Sequence, residues 1–284
     1  MTTKTKTKAL QTKEETAIAP VGFDYGGEAG AGFETATSAD LAIPFINLLQ
    51  SNSPQVTHDE PEGAKAGMFL NIVTQELYPG DAGPVIIPVH KHVSYVEWIP
   101  KDEGGGYIGE FSPDAPEVVA AIAAKGSRFG ALPFREGHEL VETHCVYALL
   151  LAHDGKSVDG FAALNFSSTK LKPLRNWMTA LYMLKGRPPM FANRARLRSV
   201  LQKNKKSQEF FNFAISPFRA TWADSLIDPN TEGQLLLEAK KFRDMVLAGQ
   251  AKADISTTEQ VDSTMTAGED DAAATPAKGG KIPF

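Results

Sequence analysis

The stretch that most constrains this chain is Val85–Ile99, VIIPVHKHVSYVEWI. Its β-branched and aromatic side chains read as one long β run. Strict alternation puts Val85, Ile87, Val89, Lys91, Val93 and Tyr95 on one face and Ile86, His90, His92, Val96 and Trp98 on the other. Pro88 marks an edge or a bulge, because proline cannot donate to a ladder. A strand of this length needs neighbours, and the sequence supplies them. Met68–Val73 and Gln75–Tyr78 are short strands that lead into a Pro79-Gly80-Asp81 turn. Leu140–Ala152 and Val158–Phe166 form a hairpin through Asp154-Gly155, and Arg194–Gln202 and Gln208–Ile215 form another through Asn204-Lys205-Lys206-Ser207. Lys101–Gly109 is a glycine-rich loop.

Four stretches carry helical spacing. Ser38–Gln50 is expected as a helix capped by Ser38 or Asp40, with Leu41, Phe45, Leu48 and Leu49 on one face. Pro44 is close enough to its start to be tolerated. Asp114–Ala124 is a short helix. Ser168–Leu184 has Leu171, Leu174, Trp177, Met178, Leu181 and Leu184 at three- and four-residue steps. Thr231–Ala248 turns Leu235, Leu236, Ala239, Phe242 and Val246 inward. Residues 1–36 and 249–284 lack a core-forming pattern and are expected to be disordered. Between them, 37–248 reads as one α+β domain whose antiparallel hairpins form an OB-like barrel with helical insertions.

The chain has 284 residues, 42% of them hydrophobic, enough for one sizeable core or two small ones. No apolar run approaches the roughly 20 residues of a membrane span, so no membrane association is expected. MTTKTKTKALQTKEE lacks the apolar core of a secretory signal. The single cysteine, Cys145, excludes an intramolecular disulfide framework. A soluble, cytoplasmic protein is expected.

The net charge of −5 hides a segregation. Residues 24–164 hold 7 basic and 20 acidic side chains, whereas 165–220 hold 12 basic ones against Glu209 alone. Residues 221–284 return to 6 basic and 11 acidic. A folded segment this basic inside an acidic protein is the footprint of a polyanion site. Lys170, Lys172 and Arg175 open the third helix, Lys185 and Arg187 follow it, and Arg194, Arg196 and Arg198 alternate along a strand. The hairpin turn adds Lys203, Lys205 and Lys206. Cations neutralise phosphates, and flat side chains stack on unpaired bases. Phe210, Trp177, Tyr95 and Trp98 are the stacking candidates.

Other chemistry is thin. His90 and His92 have a spacing that can bind zinc, but a site needs further ligands, with His138, His144 and Cys145 the candidates for bringing them. Gly104-Gly105-Gly106 lacks the Lys-Ser/Thr of a phosphate loop. Asp59, Glu60 and Glu62 would serve a nuclease only with more carboxylates. No catalytic residue, metal or cofactor is assigned.

The end of the chain is acidic, with Asp254, Glu259, Asp262, Glu269, Asp270 and Asp271, and it closes on Lys281-Ile282-Pro283-Phe284. Ile282-Pro283-Phe284 is similar to the terminus of bacterial single-stranded DNA-binding proteins, whose acidic tails end in Ile-Pro-Phe and recruit replication and repair enzymes. Phage single-stranded DNA-binding proteins likewise end in acidic tails with a terminal aromatic. The layout SADLAIPFINLLQ, GAKAGMFLNIVT, VEWIPKDEGGGYIGE and SSTKLKPLRNWM also resembles a class of phage replication-region proteins. Lys281 departs from the pattern, standing where an acid is expected. The resemblance implies a non-enzymatic protein that binds and protects single-stranded DNA without sequence preference, in phage replication, recombination or repair. Asp270, Asp271, Ile282, Pro283 and Phe284 would dock replication or recombination partners, and the protein could be a homo-oligomer. A DNA-metabolism enzyme such as a nuclease, a strand-annealing protein and an adaptor are the alternatives.

Overall fold

The computed structural model describes residues 31, 32, 34, 43–100, 103–127, 130–204 and 207–257. Residues 31, 32 and 34 belong to a unit separate from the one that begins at Thr37, and the architecture is that of the second unit. Its elements are β1 (Ile46–Leu48), α1 (Pro54–His58), β2 (Phe69–Asn71), β3 (Leu77–Tyr78), β4 (Val85–Ile99) and β5 (Gly106–Phe111), then α2 (Pro116–Lys125), β6 (Leu132–Pro133), β7 (Glu139–Leu151) and β8 (Val158–Ser167). After these come α3 (Leu171–Tyr182), β9 (Ala195–Lys203), β10 (Glu209–Pro217) and α4 (Gly233–Leu247). The fold is α+β with antiparallel ladders and more strand than helix among the described residues. No helix there is long and apolar enough to cross a membrane.

β4 and β7 are the spine, paired from Val85 with Leu151 to Trp98 with Glu139. The outer edge of each is shared by two strands. β4 pairs β9 at Val85–Ile86 and β5 at Tyr95–Ile99, while β7 pairs β8 along Thr143–Leu151 and β6 at Leu140–Glu139. β1, β2 and β3 make a separate three-stranded sheet.

Pro88 marks a bulge within a central strand. The β4–β7 register shifts between Pro88 and His90, and one extra residue exchanges the two faces beyond it. Val85, Ile87 and Val89 therefore share a core with Val96 and Trp98, against the expected alternation. Ile86 faces the opposite core.

Both faces of this spine are covered. One core joins Val85, Ile87, Val96, Tyr147 and Leu149 to Leu235, Ala239 and Phe242 of α4. The other joins Ile86, Val146, Leu164, Phe166, Leu197 and Phe213 to the α3 stripe Leu171, Leu174, Trp177 and Leu181. Phe213 lies 4.9 Å from Phe166 and 5.7 Å from Phe69, ring to ring. A smaller core seats Val118 and Ala121 of α2 on Tyr95, Leu132 and Leu140.

Three expectations change. The described part of the Ser38–Gln50 helix is extended: Phe45 bridges Ala163 in parallel and β1 pairs β2. Phe45, Ile46, Leu48 and Leu49 are all buried. A strand covered on both sides has no polar face, so its apolar run mimics a helical stripe. The glycine-rich loop is shorter than expected, because β5 starts at Gly106. The C-terminal boundary also moves. Ala251, Ala253 and Ile255 are buried in the first core, the Ala253 N–H donates to the Tyr147 hydroxyl at 3.4 Å, and Lys252 lies 3.9 Å from Glu110. Residues 258–284 lie outside the described residues, as does the 1–36 arm except for residues 31, 32 and 34.

No closed barrel is present among the described residues. The second core is walled by β9, β4, β7, β8, β1 and β10, yet no ladder joins β10 to β1 or β8. Gln50 spans that seam. Its Nε2 donates to the Phe211 carbonyl at 2.9 Å, and its Oε1 accepts the Phe211 N–H at 2.9 Å.

Candidate nucleic-acid interface

The β9–β10 hairpin runs in unbroken register from Pro217 with Ala195 to Glu209 with Lys203. Only its first residues pair with β4. Beyond them the outer edge of β9 is held by the loop before β4: the Leu197 N–H donates to Pro84 O at 2.9 Å and the Ser199 N–H to Gly80 O at 2.7 Å. This approach needs glycine at 80 and 83. A side chain at Gly80 would overlap the Gly67 carbonyl, and one at Gly83 would sit 2.6 Å from the Leu197 carbonyl. At the turn, Asn204 donates its N–H to Gln208 O at 3.0 Å and accepts the Gln208 N–H at 2.9 Å.

The three arginines of this hairpin have different surroundings. Arg194, expected to contact phosphate, is fully buried. Its guanidinium donates to both carboxylate oxygens of Glu232, at 2.7 and 2.9 Å, and to the Gly155 carbonyl at 3.0 Å. That charge is spent inside the protein, which corrects its assignment. Burial pushes the Glu232 carboxyl up, but the Arg194 hydrogen bond and the Asp228 N–H pull it down further, leaving it below the ordinary carboxylate range. Arg196 is half-buried. It donates to Gly83 O at 3.2 Å and His153 O at 3.4 Å, over the Phe218 ring at 5.6 Å. Burial, and then the like charge of Arg198, draw it below the ordinary guanidinium value, although it stays charged at any ordinary pH. Arg198 is exposed. Lys203 is exposed and sits 3.2 Å from Glu209. Lys205 and Lys206 lie outside the described residues.

The start of α3 lies against β10. Asn212 Nδ2 donates to the Thr169 carbonyl at 3.1 Å, and Lys170 Nζ sits 5.6 Å from the Phe213 ring centroid. Lys170 and Arg175 are half-buried and Lys172 is exposed. The first turn of α3 holds no acid and has no side-chain cap. Its N-terminal dipole and these cations therefore act in the same sense towards an anion. Lys185 and Arg187 beyond the helix are exposed. Backbone strain is also present here: Ser168 (φ 51°), Arg187 (φ 45°) and Ser207 (φ 61°) are left-handed without being glycine.

The stacking candidates do not reach the surface. Trp177 is 2% exposed, Tyr95 3%, Trp98 6% and Phe210 8%. Trp177 belongs to the buried stripe of α3, Tyr95 lies under α2, and Trp98 packs edge-on against Tyr107 at 5.9 Å. Large aromatic rings are more valuable in a core than on a surface, and alternation gives no sign of which face the fold will cover. Tyr182, absent from those candidates, is 62% exposed at the end of α3. The signal that marks it is position: it lies off the Leu171-Leu174-Trp177-Leu181 stripe and beside a cation-rich loop.

The histidines are dispersed. His90 lies over the Tyr147 ring at 6.4 Å, and burial first, then its cationic neighbours, lower its pKa. His92 is 3.6 Å from Glu110. His138 and His144 are engaged by Glu97 at 2.6 Å and Glu142 at 2.8 Å. Burial raises the Cys145 thiol to about 12, which leaves it inert. Among the described residues no three His, Cys, Asp or Glu side chains are grouped to hold a metal. Asp59 closes a turn by accepting the Gly63 N–H at 2.8 Å. Asp270, Asp271, Ile282, Pro283 and Phe284 lie outside the described residues.

A family model described as Pam3 phage gp34-like protein matches residues 12–252. No curated protein and no solved structure matches the chain.

Proposed function

We propose, from the premise that this chain belongs to the Pam3 phage gp34-like family, that it is a phage protein that binds single-stranded nucleic acid without sequence preference. The observation that carries this reading is the exposure of the cations within residues 165–220. Lys172, Lys185, Arg187, Arg198, Lys203 and Arg219 are exposed there, and that segment contains one acid, Glu209. Such a surface gains free energy by releasing the counterions of a phosphate chain, whatever the bases are. The arc of strands around the second core is the wall of an OB-like domain in this reading. In this reading Lys170, Lys172 and Arg175 around the start of α3 and Arg198 and Lys203 on β9 contact phosphates, and Lys205 and Lys206, which lie outside the described residues, are further candidates. The acidic end of the chain, with Asp270, Asp271 and the terminal Ile282-Pro283-Phe284, recruits replication or recombination proteins.

The test is fluorescence anisotropy with labelled oligo-dT and with duplex, repeated over a range of salt. Oligo-dT should bind more tightly than duplex, with log K falling linearly against log salt. The double variant Arg198→Ala/Lys203→Ala should weaken binding and flatten the slope by about 0.7 for each phosphate that the protein no longer neutralises. Absence of oligo-dT binding at low salt would overturn the reading.

A further inference from the structure

Tyr182 is the aromatic side chain of the basic segment that the fold leaves mostly in solvent, and the backbone around it is tightly fixed. The chain turns sharply after α3: the Met183 N–H donates to Thr179 O at 3.0 Å, the Leu184 N–H to Leu181 O at 3.2 Å and the Arg187 N–H to Leu184 O at 3.0 Å. Arg187 takes a left-handed backbone, φ 45°, a conformation disfavoured for a residue with a long side chain. Pro188 and Pro189 then restrict the exit. The outcome is a guanidinium placed over the Tyr182 ring, 4.8 Å from its centroid. Nothing in the core requires this. Tyr182 is outside the α3 stripe, and Arg187 is exposed. Strain held at an exposed site without a packing return points to function.

We propose that Tyr182 and Arg187 form the platform on which an unpaired nucleobase stacks. This rests on the nucleic-acid reading and names the interaction that separates a base-bearing strand from a bare polyanion. The Tyr ring offers a π-face to any base, which suits binding without sequence preference. The guanidinium adds a second planar surface beside the ring and carries the N–H donors that a phosphate accepts. The four aromatic candidates named from sequence cannot do this, because each is buried.

The experiment compares oligo-dT with an abasic oligomer of the same length and charge, using the full chain and its variants. The wild-type protein should prefer oligo-dT. Tyr182→Ala should weaken oligo-dT binding about tenfold, the scale of one missing stack, and leave the abasic oligomer unaffected. Tyr182→Phe should retain the preference, and Arg187→Lys should lose part of it. Ultraviolet cross-linking of wild-type protein to 5-iododeoxyuridine oligomers, read by mass spectrometry, should place the adduct on Tyr182. If Tyr182→Ala binds both oligomers as wild type does, or weakens both equally, the platform is overturned while nucleic-acid binding stands. An adduct found only elsewhere overturns the platform too. Wild-type protein that binds neither oligomer overturns the binding reading and the platform with it.

Discussion

The root and the middle of the β9–β10 hairpin use the same residue type for opposite ends. At the root, Arg194 is sealed from water and held on three oxygens, two of them from Glu232. Four residues on, Arg198 stands in solvent. Both count equally in a charge tally, yet one is part of the scaffold and the other is available to a ligand. A basic segment therefore overstates its interface by the number of its cations the fold has already neutralised. Here that subtraction removes Arg194 outright, and it restrains Arg196 through two backbone carbonyls and the Phe218 ring.

The comparison breaks most visibly under truncation. Arg194→Ala should cost about 3 kcal/mol of stability in urea denaturation, because it removes the bidentate partner of the Glu232 carboxylate and the donor to the Gly155 carbonyl. Arg198→Ala should leave the denaturation midpoint where it was. Similar midpoints for the two variants would erase the distinction between the two arginines. Gln50→Ala should come next. It strips the N–H and the carbonyl of Phe211 of their partners at the seam, at about 1–3 kcal/mol, and should speed amide exchange at Phe211 while leaving β4 protected. The smallest effect is on the slope of the acid limb. The folded Glu232 carboxyl lies below its unfolded value, so its contribution is present above about pH 4.3 and is lost as pH falls through the folded value. Glu232→Gln should therefore be less stable at neutral pH and show a shallower decline in stability below about pH 4. An acid limb as steep as that of wild type would place the titrating group elsewhere.

Much of the scaffold was legible because local periodicity sufficed. β4 has the bounds expected from VIIPVHKHVSYVEWI, the two hairpins fall within a residue or two of their expected positions, and the α3 stripe is the buried face. Legibility failed where a face is chosen by distant chain. Phe45–Leu48 is extended because Ala163 pairs Phe45 and β2 pairs Ile46–Leu48, and its own pattern fits a helix as well. Ala251, Ala253 and Ile255 carry too little apolar surface to announce a core position, and they gain one only because α4 delivers them beside Tyr147. The candidate interface was half legible. Its cations could be counted, but its exposed aromatic could not be told from its buried ones.

Sequence alone set the long central strand, the amphipathic α3 and the concentration of positive charge after residue 164, since each depends on neighbours a few positions apart. Tertiary structure decided which arginine meets Glu232, which aromatic rings are hidden, and how Gln50 bridges the open seam. Those outcomes depend on groups 38 and 161 residues apart in the chain, and whether such groups meet is settled by burial and hydrogen-bond satisfaction in the folded state, quantities that no local spacing encodes.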